Sequence, residues 1–337
     1  MASSGSHIIG FWPVVSALVG NSLVAVIKLG IASVSGSSSM FSEGIHSVAD
    51  TLNQGFLFIG LVRSRKKPDD DFGYGYGRER FFWALLSACG IFFVGAGVTL
   101  YHGIMSLFEP SPIEFSVYIY VVLLASFVIE LWTLYVAARS IRRMFPDLSW
   151  RERLELSDPT TLAVYLEDCV AVVGVLIAAF SIALSYYTGN YVWDALGSLI
   201  IGCMLAGVAV LLIMKNRFYL MGRAMPEDLK EEIVALLVRD PVIEKVLVFK
   251  STTLDFNVYR LSCEVEINGP SLLKEMYKRS TLRSQFDEIK NDFEEFKRFC
   301  VHYSDRMPRL IGKHIDIVEA KLMKKFPSVR HIDIEVN

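Results

Sequence analysis

Five ionisable residues fall inside two apolar runs of this chain and are spaced to hold a cation. In SSMFSEGIHSVADTLNQGFLFIGLV, His46 and Asp50 stand four residues apart, with Glu43 one turn earlier. In TLAVYLEDCVAVVGVLIAAFSIAL, Glu167 and Asp168 stand side by side. An ionisable side chain within a membrane span is costly and marks a substrate or ion path. Residues four apart share one helix face, so His46 and Asp50 can grip one metal ion from a single helix. Imidazole with two or three carboxylates suits tetrahedral zinc and also accepts manganese, iron, cobalt or cadmium. Metal needs neutral imidazole and ionised acids, so a divalent cation and protons compete for such a site. Histidine, with an ordinary pKa of about 6.5, titrates near working pH. Glu130, within SFVIELWTLY, and Asn21 are further polar residues at span depth, placed to line a metal or proton path. Lys28 is expected to snorkel outward.

The elements that must carry these residues are membrane helices. The hydrophobic fraction is 53%, mean hydropathy is +0.40, and the charged 21% gathers between apolar runs and in the last third. A span needs about 20 predominantly apolar residues. Six runs qualify, 8–33, 37–62, 81–108, 113–138, 160–186 and 191–214. The first lacks the basic leader and small-residue cleavage site of a signal peptide. Residues 1–7, MASSGSH, read as a tag remnant, so His7 carries no argument. The expected division is a transport domain over 8–223 and a tail domain over 224–337.

Arginine and lysine set the orientation. Arg63, Arg65, Lys66, Lys67, Arg78 and Arg80 crowd the second connection, and Arg139, Arg142, Arg143, Arg151 and Arg153 the fourth. SVSGSSS, EPSPIE and YYTGNYVWD contain neither residue. The positive-inside rule therefore expects both termini in the cytoplasm or its equivalent. With SDPTT opening the fifth span, Asp168 lies roughly 14 Å from the cytoplasmic end. The second span enters from the other side, placing His46 about 14 Å and Asp50 about 20 Å deep. Opposite entry brings all three near the middle of a hydrocarbon core of about 30 Å.

The tail is a separate unit. MPEDLKEEIVALLVRD reads as a helix with acids in its first turn, which suits the helix dipole. VIEKVLVFKSTT, FNVYRLSCEVEIN and SVRHIDIEV read as strands, and MPRLIGKHIDIVEAKLMKKF as a second amphipathic helix. The order αββαβ is that of a ferredoxin-like α+β domain. A polar helical insert, 271–305, separates the second strand from the second helix. Its Phe286, Ile289, Phe293, Phe296 and Cys300 form a stripe that either packs on its own domain or pairs with another chain. Five cysteines, with no CxxC pair, read as reduced thiols.

Six spans, HxxxD in the second, a carboxylate in the fifth and an αββαβ tail resemble the cation diffusion facilitators, the divalent-metal/proton antiporters that include the zinc transporters. NSLVAVIKLG, SMFSEGIHSVADTLNQ and FGYGYGRERFFW carry the local likeness, which runs from about residue 14 to the end. The resemblance implies a homodimer with one site per protomer between the second and fifth helices. The first, second, fourth and fifth helices would form the bundle around it. The family pattern places two site residues on each helix. Here His46, Asp50 and Asp168 fill three positions, but the fourth is Val164, which cannot bind metal. Glu167, Glu43 or Glu130 could replace it. The missing fifth-helix histidine is similar to a less common branch that includes a mitochondrial member.

The expected function is proton-coupled export of divalent metal, zinc foremost, by alternating access. The expected membrane is a bacterial inner membrane. A manganese or iron exporter, or a non-transporting metal sensor left by the Val164 substitution, are the alternatives. Asp69, Asp70 and Asp71 precede a segment where some relatives carry a second metal site, but Tyr74 and Tyr76 stand where histidine would help. His314, His331 and Asp333 could form a regulatory tail site between protomers. Nothing resembles a phosphate loop or a nucleophile–base pair, which excludes an ATP-driven pump and an enzyme. No basic face suggests nucleic acid.

Overall fold

Long apolar stretches interrupted by short polar connections fold here into a helical bundle, followed by a small sheet domain. The computed structural model describes residues 11–109, 117–144, 146–277 and 282–337. It divides into two units, Met1–Met221 and Gly222–Asn337.

In the first unit, α1 is Phe11–Ser35, α2 Ser38–Ser64, and α3 Glu79–Phe108, which passes through a π-helical turn at Ile91–Ala96. Then follow α4, Val117–Met144, the short α5, Trp150–Leu156, α6, Pro159–Thr188, and α7, Val192–Leu220. Among the described residues, α3, α4, α6 and α7 are long and apolar enough by themselves to cross a membrane. The 27 residues of α2 are long enough, but its serines and acids dilute its hydropathy. That is the helix the sequence singles out for chemistry. Leu124, Val128 and Trp132 of α4 are at least 60% exposed, as are Phe93 of α3 and Phe180 of α6. So much exposed apolar surface is a lipid-facing belt rather than the surface of a soluble protein.

Local signals set the helix ends. Asp158 caps α6 by accepting the Thr161 N–H, and Pro159 supplies its first residue. Gly189, with φ +66°, closes the same helix in the left-handed conformation. Small residues let helices approach closely. Gly44 of α2 rests against Leu29 of α1, and Gly202 of α7 against Leu100 of α3. The interior of this unit is built on Met40, Ile91, Leu123, Val175, Ile182, Ile201 and Leu205.

In the second unit, α8 is Glu227–Val238, β1 Ile243–Asp255 and β2 Val258–Ile267. The helices α9, Gly269–Met276, α10, Leu282–Ile289, and α11, Phe293–Lys325, lead to β3, Val329–Val336. β1 and β2 pair antiparallel, β3 joins β2 in parallel, and the order is β1-β2-β3. A parallel return needs a long crossover, which the three helices provide. Alternation along β2 buries Tyr259, Leu261, Cys263 and Val265 against Ile233 and Leu237 of α8 and Val318 and Leu322 of α11. The α+β expectation matches, with one change: the insert does not end before the second helix. Both merge into the single 33-residue α11, which runs through Pro308. Its first half leaves Phe293, Phe296 and Val301 at least 48% exposed. Residues 278–281 of the insert lie outside the described residues.

Candidate metal site

The start of α2 is fixed by α7. Asp194, in the first turn of α7, accepts the backbone N–H groups of Ser38 and Ser39 and the hydroxyls of Ser37 and Ser39. Ser39 also meets Ser181 of α6 at 2.7 Å, and Ser42 meets Ser198 of α7 at 2.6 Å. His102 of α3 joins through Nδ1, 3.0 Å from Ser38 Oγ, and stacks on Phe41. This hydroxyl seam closes the bundle at the end opposite the arginine-rich connections. Its small side chains let α2, α6 and α7 converge there.

From that anchor α2 descends to His46, which is buried. His46 Nε2 lies 3.4 Å from Asp50 Oδ2, and neither ring nitrogen has a hydrogen-bond partner. Burying polar atoms without partners is costly, and a cation would relieve that cost. Asp50 faces a cavity of about 670 Å³ bounded by α1, α2, α4 and α6. Asn21, Asp50, Glu130, Val164, Glu167 and Asp168 all border it, and it continues to Ser140, Thr160 and Thr161 at the arginine-rich end. Thr133 of α4, which donates its hydroxyl to the Glu130 carbonyl, borders the cavity with Asp168, whose Oδ2 has no hydrogen-bond partner. Glu167 takes the Asn53 side-chain amide on Oε2, leaving Oε1 without a partner, and Asn53 in turn accepts the Ser87 hydroxyl.

The sequence-singled residues therefore separate into groups. His46 with Asp50, and Asp168 with Glu167, stand on opposite helices of one cavity. Glu43 and Glu130 instead turn to Lys28, whose Nζ lies 3.2 Å from Glu43 Oε2 and 3.8 Å from Glu130 Oε1. Lys28 does not snorkel outward as expected. It is fully buried, because α1 faces two acids whose charge would otherwise be stranded. Among the described residues no three His, Cys, Asp or Glu side chains stand close enough to enclose one ion.

Other candidates have different partners. Asp69 is engaged by Lys66 and Tyr76, both at 2.7 Å, and these hydrogen bonds hold its carboxyl down to about 2. Tyr76 thus serves the loop where a histidine would have served a metal. In the tail, His314 pairs with Asp240 at 2.8 Å and Asp333 with Arg260 at 2.7 Å. His331 pairs in register with Arg260 on the sheet. The tail trio is thus divided among separate partners in one protomer.

Sequence reasoning missed Asn53, Thr133, Ser87 and Asp194. Asn53 was within reach of it, lying seven residues beyond His46 on the same helix stripe. Thr133 and Ser87 carry no local signal, and become relevant only once α3, α4 and α6 are packed.

Residues 14–221 match the cation efflux transmembrane domain. The chain belongs to the cation diffusion facilitator family. This is a family of membrane transporters rather than enzymes, and the chain is an integral membrane protein. The human proton-coupled zinc antiporter SLC30A9, mitochondrial, is 36% identical over 306 residues, covering 89% of this chain and 54% of that protein. Metal tolerance protein C4 of Arabidopsis thaliana is 34% identical over 337 residues, covering 96% of this chain and 73% of that protein. The cation-efflux pump FieF of Shewanella oneidensis is 27% identical over 216 residues, covering 64% and 68%. The chain spans about half the length of the vertebrate relatives it matches.

Proposed function

We propose that this cation diffusion facilitator exports divalent transition metal from the cytoplasm in exchange for protons, with zinc as its first cargo. The observation that carries this reading is the shared cavity. Asp50 of α2 and Asp168 of α6 border it, and His46, buried 3.4 Å from Asp50, has a hydrogen bond on neither ring nitrogen. The names of the vertebrate relatives, which specify zinc and proton coupling, point the same way.

The route follows from the two ends of the bundle. The cavity reaches the arginine-rich end, which the positive-inside rule assigns to the cytoplasm together with both termini. The Asp194 seam closes the other end. This is an inward-facing arrangement, in which cargo arrives past Thr160 and Thr161. Asp50 and Asp168 lie on opposite walls, so closing the cavity around an ion brings their carboxylates together with His46. Glu167 adds charge beside them. Protons that replace the ion on His46 and the acids would release it once the seam opens, as alternating access requires. We place the protein as a homodimer in a bacterial inner membrane, although the vertebrate relatives are named as mitochondrial.

Zinc flux into proteoliposomes tests the reading, with Asp50→Asn and His46→Ala as comparisons. Metal-dependent flux in the parent that is lost in both variants is the expected result. Apparent zinc affinity should also fall as pH drops, because protons compete with the ion for His46 and the acids. A second reading, a metal sensor that does not transport, draws on Val164 and on the open spacing of the acids. It predicts zinc binding without flux.

A further inference from the structure

Two of the acids at span depth are already answered by a cation belonging to the protein. Lys28 holds Glu43 at 3.2 Å, with both side chains fully buried. It holds Glu130 at the longer distance of 3.8 Å, and Glu130 keeps 14% of its side chain exposed. That exposed part borders the cavity shared with Asp50 and Asp168. Thr133, three residues along α4 from Glu130, borders that cavity together with Asp168. Residues three apart lie on one helix face, so the face bearing Glu130 is set against the acid of α6. On its other side, Glu43 precedes His46 by one turn of α2. Glu130 therefore stands between the two halves of the site, on the weaker arm of a shared ammonium.

We propose that Glu130 is the ligand that α6 lacks at Val164, and that it changes partner from Lys28 to the metal ion when cargo enters the cavity. The inference rests on the metal-site reading above. Glu167, the neighbouring alternative, has one carboxylate oxygen held by the Asn53 amide, which Ser87 braces in turn. A divalent ion at Asp50 and Asp168 carries twice the charge of an ammonium and forms a coordination bond as well. Glu43, wholly buried at the shorter contact, keeps Lys28 when Glu130 leaves. Lys28 is thus a tethered competitor. It keeps Glu130 from being an uncompensated buried charge in the empty site, and it recaptures that carboxylate when the ion departs. Carboxylates on α4 and α6 with His46 and Asp50 on α2 would make a four-ligand set of the kind zinc takes.

The test is equilibrium binding of zinc chloride to the full-length protein in detergent, read by competition with a fluorescent chelator. Glu130→Gln should weaken binding by about ten- to a hundredfold. The charge-neutral double variant Lys28→Met/Glu43→Gln should strengthen it about fivefold or more, and that gain should vanish when Glu130→Gln is added. Unchanged affinity in Glu130→Gln, with Asp50→Asn strongly weakened, overturns the role of Glu130 and leaves the site standing. Unchanged affinity in Asp50→Asn overturns the site itself. Should Glu130→Gln not yield folded protein, the double variant decides alone: no gain in affinity overturns the competition by Lys28.

Discussion

Ser37 donates its hydroxyl to the Asp194 carboxylate across 3.0 Å, tying the cap of α2 to the first turn of α7. The same carboxylate takes the backbone N–H groups of Ser38 and Ser39, so it acts as the anion that the start of α2 attracts. Only 2% of Asp194 is exposed. One side chain thus anchors the helix bearing His46 and closes the end of the bundle away from the cavity. Replacing Asp194 with Ala takes the carboxylate acceptor from two amides and the Ser37 hydroxyl, while the Ser39 hydroxyl keeps Ser181 and the backbone carbonyl of residue 194. Each hydrogen bond to a charged group of this kind contributes about 1.5–3 kcal/mol. We expect a lower thermal midpoint in detergent, and faster labelling of Ser37→Cys by an impermeant maleimide from the sealed side. Unchanged labelling would remove the seam from the transport cycle.

Lys28 and Glu43 make a stability prediction independent of metal. Removing one partner of a buried ion pair costs about 3–5 kcal/mol, whereas replacing both with uncharged groups of similar volume is often neutral. Lys28→Ala should therefore lower the thermal midpoint strongly. Lys28→Met/Glu43→Gln should recover most of that loss, the remainder being the Glu130 carboxylate left facing the cavity without its ammonium. If the two variants unfold together, the pair does not hold the charge in place.

Close helix contact at Gly202 gives a packing prediction. A Cβ there would meet Leu100 Cγ at 2.8 Å and the Leu100 backbone nitrogen at 3.2 Å. The side chain can turn aside, but the backbone nitrogen of a helix cannot. Gly202→Val should force α3 and α7 apart, and overpacking of this kind costs about 1–3 kcal/mol. Gly207, with open space around its Cβ position, is the control on the same helix. Gly207→Val should unfold close to the parent if crowding, rather than loss of glycine, is responsible.

Much of this architecture was legible because each feature has a periodic or compositional cause. Length and hydropathy disclose the long apolar helices, and alternation in VYRLSCEVEI the buried face of β2. HxxxD is readable because the α-helix repeats close to every four residues. Lys28 was misread because snorkelling depends on what faces a helix, and the facing acids come from α2 and α4, 15 and 102 residues away. Glu167 and Asp168 are adjacent in sequence, yet one is held by Asn53 while the other keeps an oxygen without a hydrogen bond beside the cavity, a division that only packing reveals. Fusion of the insert with the last helix escaped notice because Pro308 reads as a break. In α11 the proline sits within a helix whose neighbouring residues continue regardless.

Cys263 supplies a pH prediction for the tail. It is 1% exposed in the middle of β2, and burial, with the Glu319 charge nearby, pushes its thiol up to about 12. An unfolded thiol ionises near 8.5. The folded-state value is raised, so the contribution to stability is complete below about pH 8.5 and is lost as pH climbs toward 12. Between these limits the unfolded chain sheds a proton that the folded one retains. The slope is about 1.4 kcal/mol per pH unit at most. Two readouts follow from the full chain. Iodoacetamide at pH 9 should modify exposed Cys300 while sparing Cys263. The urea midpoint for proteolytic opening of the tail should fall from pH 8.5 to 10, and Cys263→Ala should flatten that fall. Prompt labelling of Cys263 at pH 9 would mean that β2 opens far more readily than its packing against Val318 and Leu322 allows.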